Sequence, residues 1–421
     1  MTLPPGTASR APFDVLVVGS GVAGPTAATL LARQGLRVAL LEAHRDPAHY
    51  KRLCTHFIQS SALPVLQRLG VDARLDALGA VRNSSHLWTR FGWAHEPTPV
   101  DRPAHGYNVR REVLDPLLRD TARTAGVDVR LGVKVRGLLR DDAGRVTGVL
   151  ARADGEEQEL RAHLVVGADG RSSVVAEQAG LPARTHPNER FAFFAHYRGV
   201  GVRGGRPAQM WLRPPDVAYT FVNDDGVTLL ATMPGKERLA EFDGDRDAAL
   251  RGMFDGLPDA PDLTGAERVS DVIGTKDYPL LTRKQVTAPG VALVGDAALV
   301  GDPLWGVGCG FALQSAGWLA DALDGTRPQV AAALDRALRS YGRAHRRRLR
   351  MHQLLMADFA SGRDFNPLER LVYDGAVHDP RVADTVFAYG TRNASPRVLL
   401  SPVLLARAAR ARRRHPVGAA G

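Results

Sequence analysis

The sequence predicts an α/β chain: a Rossmann-like, dinucleotide-binding lobe on a parallel sheet, interrupted by an antiparallel sheet and followed by C-terminal helices. Three observations carry this expectation. A short apolar run, Phe13–Val18, ends in a glycine-rich turn, leads into small and apolar residues at helical spacing, and is followed by a second apolar run over 36–42. That is a strand–turn–helix–strand unit. From about 185 to 285 the pattern becomes short alternating runs (FAFFAHYRGV, QMWLRP, AYTFVN, GVTLLATMP) broken by Gly, Pro and Asp, the mark of an antiparallel sheet. VALVGD, Val291–Asp296, then returns to the fully apolar style of a parallel strand.

The elements follow in order. Leu114–Gly126 reads as a helix, Val127–Val135 and Val146–Ala151 as strands around the turn at Asp142–Gly144, and Leu164–Val166 as a short buried strand. Gly310–Leu323 and Pro328–Phe359 read as helices, the second a long one, and the tail beyond 360 as helical and irregular. The antiparallel region is therefore an insertion between two pieces of one nucleotide-binding lobe. The expected boundaries are 10–184 and 286–330 for the lobe, 185–285 for the substrate-side insertion and 331–421 for the C-terminal helical region.

A length of 421 residues exceeds one ordinary domain, and 44% hydrophobic with 24% charged residues suits a globular protein. No run of 18 apolar residues occurs and the N-terminus lacks a basic head with an apolar core, so neither a membrane span nor a signal peptide is expected. Cys54 and Cys309 are the two cysteines; they make no disulfide framework, and a reducing cytoplasm is the expected setting. Much of the net charge of +10 sits in Arg343–Arg350 and Ala406–Pro416. No nucleic-acid motif accompanies it, so these runs read as solvated helix faces and no nucleic-acid partner is expected. The histidines lack metal-ligand spacing, and no metal site is expected.

The chemistry starts at Gly19-Ser20-Gly21-Val22-Ala23-Gly24, between the first strand and first helix. Gly19 suits the tight turn, Gly21 lets backbone approach a pyrophosphate, and Gly24 lets the helix pack close to the strands. Val22 and Ala23 open the helix, whose free N–H groups favour phosphate. Glu42 closes the second strand, where a carboxylate accepts hydrogen bonds from ribose hydroxyls.

Two further segments narrow the cofactor. Gly167-Ala-Asp169-Gly170-Arg171-Ser172-Ser173 follows one buried strand. Gly295-Asp296 follows another and continues through Asp302-Pro303 to Gly306-Val-Gly308-Cys309-Gly310. With these three motifs in this order, residues 13–325 resemble the FAD-dependent aromatic hydroxylases, the single-component flavoprotein monooxygenases of the para-hydroxybenzoate hydroxylase type. They lie within a wider superfamily shared with geranylgeranyl reductases and flavin-dependent halogenases. The resemblance implies FAD as cofactor, with Asp169 linked to FAD and NAD(P)H and Asp296 to the ribityl chain. Arg111, in Arg111-Glu-Val-Leu114-Asp115, would pair with the diphosphate, and Val135 would pass the adenine. Backbone N–H groups of Gly308, Cys309 and Gly310 would face the flavin's pyrimidine edge. Arg52 stands where the family has basic residues approaching the cofactor, although Cys54 replaces a second basic residue expected there. As bland alternatives, Asp296 reads as a helix cap and Asp169 as a turn acid.

Only one dinucleotide fingerprint is present, so NADPH or NADH would visit the flavin cleft as a transient co-substrate. The resemblance implies hydroxylation, with O2, of an aromatic or polyketide-like small molecule, free or tethered to a carrier protein, in natural-product (antibiotic) tailoring. No catalytic nucleophile stands out. Phe193, Phe194, Met210, Trp211, Tyr219 and Phe221 are candidate substrate-lining residues, with plain core as their alternative. A rival reading is a reductase of isoprenoid double bonds, since geranylgeranyl reductases share the Lys51–Cys54 style of segment. A halogenase is disfavoured because its Trp-x-Trp-x-Ile-Pro segment is lacking: Trp88 and Trp93 have the wrong spacing. A non-catalytic escort-type binding protein is the remaining alternative.

Overall fold

The computed structural model describes residues 11–98 and 101–415. Strand β1 (Phe13–Val18) is buried at nearly every residue, as a strand covered on both faces must be. Helix α1 (Ala23–Ala32) leads back to β2 (Val38–Glu42), which pairs parallel with β1. Strands β3 (Ser85–Thr89) and β4 (Gly92–His95) form a hairpin that belongs to a second sheet. Helix α2 (Arg111–Thr124) begins at Arg111, ahead of the expected Leu114. Its buried Leu114, Leu117, Leu118, Thr121 and Ala122 recur every three or four residues and face the lobe's core. The strand expected over 127–135 is two: Gly132, at φ 74°, separates β5 (Asp128–Leu131) from β6 (Lys134–Arg140). Strands β6, β7 (Val146–Ala153) and the start of β8 (Glu156–Gly167) form an antiparallel meander. The end of β8 then runs parallel to β1.

The second sheet is built from β9 (Ala192–Arg198), β10 (Ala208–Arg213), β11 (Asp216–Val222) and β12 (Thr228–Met233). They adjoin in the order β9–β12–β11–β10, all antiparallel. The sheet then continues through β3 and β4, because β10 pairs parallel with β3. It therefore draws on residues 85–95 as well as on the expected 185–285 stretch. A parallel pairing between distant segments leaves no local signal in the sequence.

Strand β13 (Val291–Leu293) rejoins the first sheet, giving the parallel order β13–β8–β1–β2–β5. The register sets Val18 beside Gly167 and Gly167 beside Leu293. The three motif loops therefore leave one edge of the sheet side by side, at the carboxyl ends where ligands bind in open α/β sheets. Helix α3 (Gly308–Leu323) packs on α1, and α4 (Ala331–Phe359) lies over α3. On α4, His345 and Leu349 are buried while Arg343, Arg346, Arg347, Arg348 and Arg350 are exposed. On the last basic run Arg410, Arg412, Arg413 and Arg414 are exposed, while Ala408 and Ala411 are buried. Helix α5 (Pro367–His378) is followed by α6 (Pro380–Gly390) and by α7 (Pro402–Arg414), which docks its Leu404, Ala408 and Ala411 face. A Cβ at Gly375 would stand 2.7 Å from Ala408, so α5 and α7 approach closely. Arg407 pairs with Asp379 at 2.6 Å and Arg412 with the buried Asp374 at 3.2 Å. Pro416 lies outside the described residues. These C-terminal helices share one apolar core with the second sheet, joining Tyr373, Phe387 and Leu404 to Phe194, Tyr219 and Phe221.

Candidate functional site

The three fingerprint glycines answer to different constraints. Gly19 sits at φ 98°, and a Cβ there would meet the Ala168 carbonyl oxygen at 2.5 Å. At Gly24 a Cβ would meet the Gly19 carbonyl oxygen at 1.8 Å. Both are required by the protein's own packing. At Gly21 the nearest atom to a Cβ would be Arg111 Nη2, 3.9 Å away. The protein does not fill that space; it is a cradle beside a guanidinium, which a side chain would occupy.

Around the cradle opens a cleft bordered by Gly21, Val22, Ala23, Arg111, Asp296, Gly308 and Cys309. Arg111 is buried and held in a fork by Asp115, with Nε to Oδ1 at 2.6 Å and Nη2 to Oδ2 at 2.8 Å. Against the penalty of burial, Asp115 keeps the guanidinium firmly charged. The start of α2 is tied down as well, since the Arg111 N–H donates to His56 Nδ1 at 2.9 Å. Burial, then the neighbouring His196 and Arg111, push His56 well below the usual imidazole range, leaving it a neutral acceptor. Asp296 follows Gly295 (φ 58°) at the end of β13 and pairs with Lys51, Nζ to Oδ2 at 2.8 Å. Its short 3-10 turn, Gly295–Ala297, has no side-chain cap. Lys51 was not singled out from the sequence; Asp296 raises its pKa against the penalty of burial.

Cys54 and Cys309 meet in the cleft with sulfurs 3.9 Å apart. The Cys54 thiol is held below the usual thiol range. The contact from Cys309 does most of this, opposed by burial and aided by Arg111, the His56 N–H at 3.3 Å and Lys51.

Other expected residues stand outside the cleft. The Glu42 carboxylate accepts from Ser20 N at 2.9 Å, Ser20 Oγ at 2.7 Å and His44 N at 2.9 Å, fixing the turn after β1 to the end of β2. These bonds, opposing desolvation, hold it below the usual carboxylate range. Asp169 accepts from Ser173 Oγ and, at 3.1 Å, from Val175 N, so its carboxylate is engaged within its own loop. Burial raises its pKa. Val135 is buried in β6, opposite Ala151. Gly308 has open space where a Cβ would be, whereas at Gly310 a Cβ would stand 2.2 Å from Arg392 Nη2. Arg52 turns away from the cleft: it pairs with exposed Asp271 at 3.3 Å and borders a separate polar pocket with Arg110 and His196. Lys51 takes the inward position and Arg52 the outward one.

Alternation along β10 parts Met210 from Trp211. Trp211 is wholly buried on the far face of the second sheet, with Nε1 donating to the Pro258 carbonyl at 2.8 Å. Phe193 borders the cleft, but its ring stacks on Phe242 at 5.2 Å. Phe194 also borders the cleft. Met210, Tyr219 and Phe221 line a second cavity, which shares Thr55, Phe57, Pro303 and Gly306 with the cleft. Its opposite wall comes from α5, α6 and the residue after α6: Tyr373, Val386, Phe387, Tyr389 and Thr391. Distant chain segments meet there, so sequence spacing carried no signal for it. Among the described residues no cluster of three or more His, Cys, Asp or Glu could hold a metal ion. Among them, too, no helix is long and apolar enough to cross a membrane.

The FAD binding domain family matches residues 12–237 of this chain. The chain is similar to the digeranylgeranylglycerophospholipid reductase of Methanosarcina mazei, 28% identical over 70% of this chain and 71% of the relative. It is also similar to the 2,4-dichlorophenol 6-monooxygenase of Delftia acidovorans, 27% identical over 40% of this chain and 31% of that one. In fold it resembles the flavin-dependent brominase Bmp2, with a TM-score of 0.78 at 19% identity over 96% of this chain and 100% of the other. The glycine cradle, the buried arginine beside it and the acid on a neighbouring strand end fit a dinucleotide diphosphate and its polyol chain, and the chain belongs to the FAD binding domain family of flavin-dependent oxidoreductases.

Proposed function

We propose that this chain is an FAD-dependent monooxygenase that hydroxylates an aromatic or polyketide-like small molecule in natural-product tailoring in the cytoplasm, with NADPH or NADH and O2 as co-substrates. The supporting observation is that the cleft beside the Gly21 cradle adjoins a mainly apolar chamber, with Thr55, Phe57, Pro303 and Gly306 lining both. FAD, when bound, supplies hydride acceptance and oxygen activation. The net reaction consumes substrate, O2, NAD(P)H and a proton, and yields hydroxylated substrate, NAD(P)+ and water.

The residues then divide the work. Arg111 and the first N–H groups of α1, at Val22 and Ala23, would hold the diphosphate at the Gly21 cradle. Glu42 holds the adenosine ribose and the Val135 backbone borders the adenine. Asp296, paired with Lys51, would accept from the ribityl hydroxyls. Gly308, with open space where a Cβ would be, and the Cys309 and Gly310 N–H groups would face the pyrimidine edge. Asp169 orders the loop through which Ala168 and Gly170 border the cleft. Arg52, outside the cleft, has no cofactor contact in this reading. Phe194 and the chamber's apolar walls exclude water from the reacting ring.

A second reading, reduction of an isoprenoid double bond, is favoured by the similarity to the digeranylgeranylglycerophospholipid reductase. The two separate in one assay: NAD(P)H oxidation by the purified holoprotein, with and without O2, against phenols, polycyclic aromatics and isoprenoids, with products identified by mass. Hydroxylated product with one O2 consumed per NAD(P)H is the expected result. Anaerobic saturation of an alkene would replace it with the reductase reading.

A further inference from the structure

The second chamber contains an unsettled hydrogen-bond account. Its walls are largely apolar, with Leu87, Met210, Phe221 and Phe387 among them. Two glutamines also line it, Gln59 at 3% exposure and Gln209 at 0%. The Gln59 amide is fixed in orientation, because Nε2 donates to the Trp305 carbonyl at 2.8 Å and the Gly390 carbonyl at 3.0 Å. Its Oε1 is left buried without a donor. Gln209 is the converse case. Its Oε1 accepts from Thr220 Oγ1 at 3.3 Å, while Nε2 is buried without an acceptor.

The indole Nε1 of Trp305, on the same wall, is a further buried donor without an acceptor, whereas several other polar groups there are engaged. The Tyr219 hydroxyl donates to the Leu304 carbonyl and the Thr391 hydroxyl to the Phe387 carbonyl. The His86 ring contacts His95 and Ser84 through its two nitrogens. A buried donor and a buried acceptor left unpaired in one cavity are costly unless a ligand pairs them. The wall that frames them is pinned, since Arg392 donates to Gln314 at 2.8 Å and Asn393 to Ser60 at 2.9 Å.

We propose that this chamber is the recognition pocket for the body of the substrate, an apolar ring framework carrying a carbonyl oxygen that accepts from Gln209 Nε2 and a hydroxyl that donates to Gln59 Oε1. The inference rests on the oxygenase reading only in naming the ligand as substrate; the pocket's preference is a property of binding. It distinguishes an oxygen-bearing ring system from an all-hydrocarbon isoprenoid tail, which would leave both amide groups unpaired.

The test is calorimetric titration of the holoprotein, without turnover, using three probes of similar shape: 2-acetylnaphthalene, 2-naphthol and 2-ethylnaphthalene. The ketone and the naphthol should each bind at least about tenfold tighter than the hydrocarbon, because a site built for a polar partner rejects the analogue lacking it. Gln209→Leu should abolish the preference for the ketone and keep that for the naphthol. Gln59→Leu should do the reverse; if its lost ties to Trp305 and Gly390 unfold it, Gln209→Leu alone decides. Equal affinity for all three probes, no binding of any, or preferences unchanged in Gln209→Leu would overturn the proposal. Selective binding without O2-coupled hydroxylation would leave the pocket standing and remove the oxygenase reading. Hydroxylation without selectivity would do the opposite.

Discussion

Lys51 Nζ lies 2.8 Å from Asp296 Oδ2, joining an extended loop after β2 to the end of β13 inside the cleft. The pair sets a charged acceptor where a polyol chain would run, while its neighbour Arg52 faces solvent and Asp271. Asp296→Ala should weaken FAD binding by about 10- to 150-fold, the loss of a charge-assisted hydrogen bond worth about 1.5–3 kcal/mol. Arg52→Ala should change it by less than about threefold, as for an exposed ion pair. Fluorescence titration of apoprotein with FAD measures both; equal losses would mean that Arg52 reaches the cofactor after all.

The fingerprint glycines should fail in two distinct ways. Gly21→Ala should fold normally and lose FAD, because its Cβ meets only open space and, at 3.9 Å, the Arg111 guanidinium. Gly24→Ala should destabilise the apoprotein itself by about 1–3 kcal/mol or more, because its Cβ would stand 1.8 Å from the Gly19 carbonyl oxygen. Thermal melts of apoprotein, read beside FAD content, separate the two. A Gly21→Ala protein that retains full FAD would remove the diphosphate from this cradle.

Cys54 should be the reactive thiol, since it is half-buried whereas Cys309 is 5% exposed. Its pKa is depressed, so the thiolate persists below the ordinary thiol range and is lost as pH falls through that lowered midpoint. Alkylation by iodoacetamide, followed by peptide mass mapping, should show that midpoint at Cys54 and little label on Cys309. Lys51→Met should move the midpoint upward by removing one of the charges that favour the thiolate. A midpoint near the ordinary thiol value of about 8.5 would contradict the geometry around the sulfur.

Removing α7 by ending the chain at Ser401 should leave FAD binding intact. Its docked face, Leu404, Ala408 and Ala411, packs on α5 rather than on the nucleotide lobe, and α5 contributes Tyr373 to the second chamber. The truncated protein should therefore melt at lower temperature and bind 2-acetylnaphthalene more weakly, with an unchanged FAD dissociation constant. Loss of FAD on truncation would show that the tail supports the nucleotide lobe directly.

The order of residues along the chain was enough for everything local. Strand, glycine turn, helix, strand and acid lie within residues 13–42, and their interactions repeat over short spacings, so the cradle and its Glu42 were legible as a unit. The apolar runs that became β1, β8 and β13 announced themselves in the same way, and a parallel sheet brings their ends together. Tertiary structure alone chose which side of an extended segment faces inward, selecting Lys51 over Arg52 and Met210 over Trp211. It also engaged Asp169 within its own loop and seated β3 beside β10. The second chamber needed it most, because Gln59, Gln209, Trp305 and Tyr389 come from four distant stretches of chain. Periodicity reports how each stretch buries its own face, whereas the partner that covers that face is fixed only when the chain closes on itself.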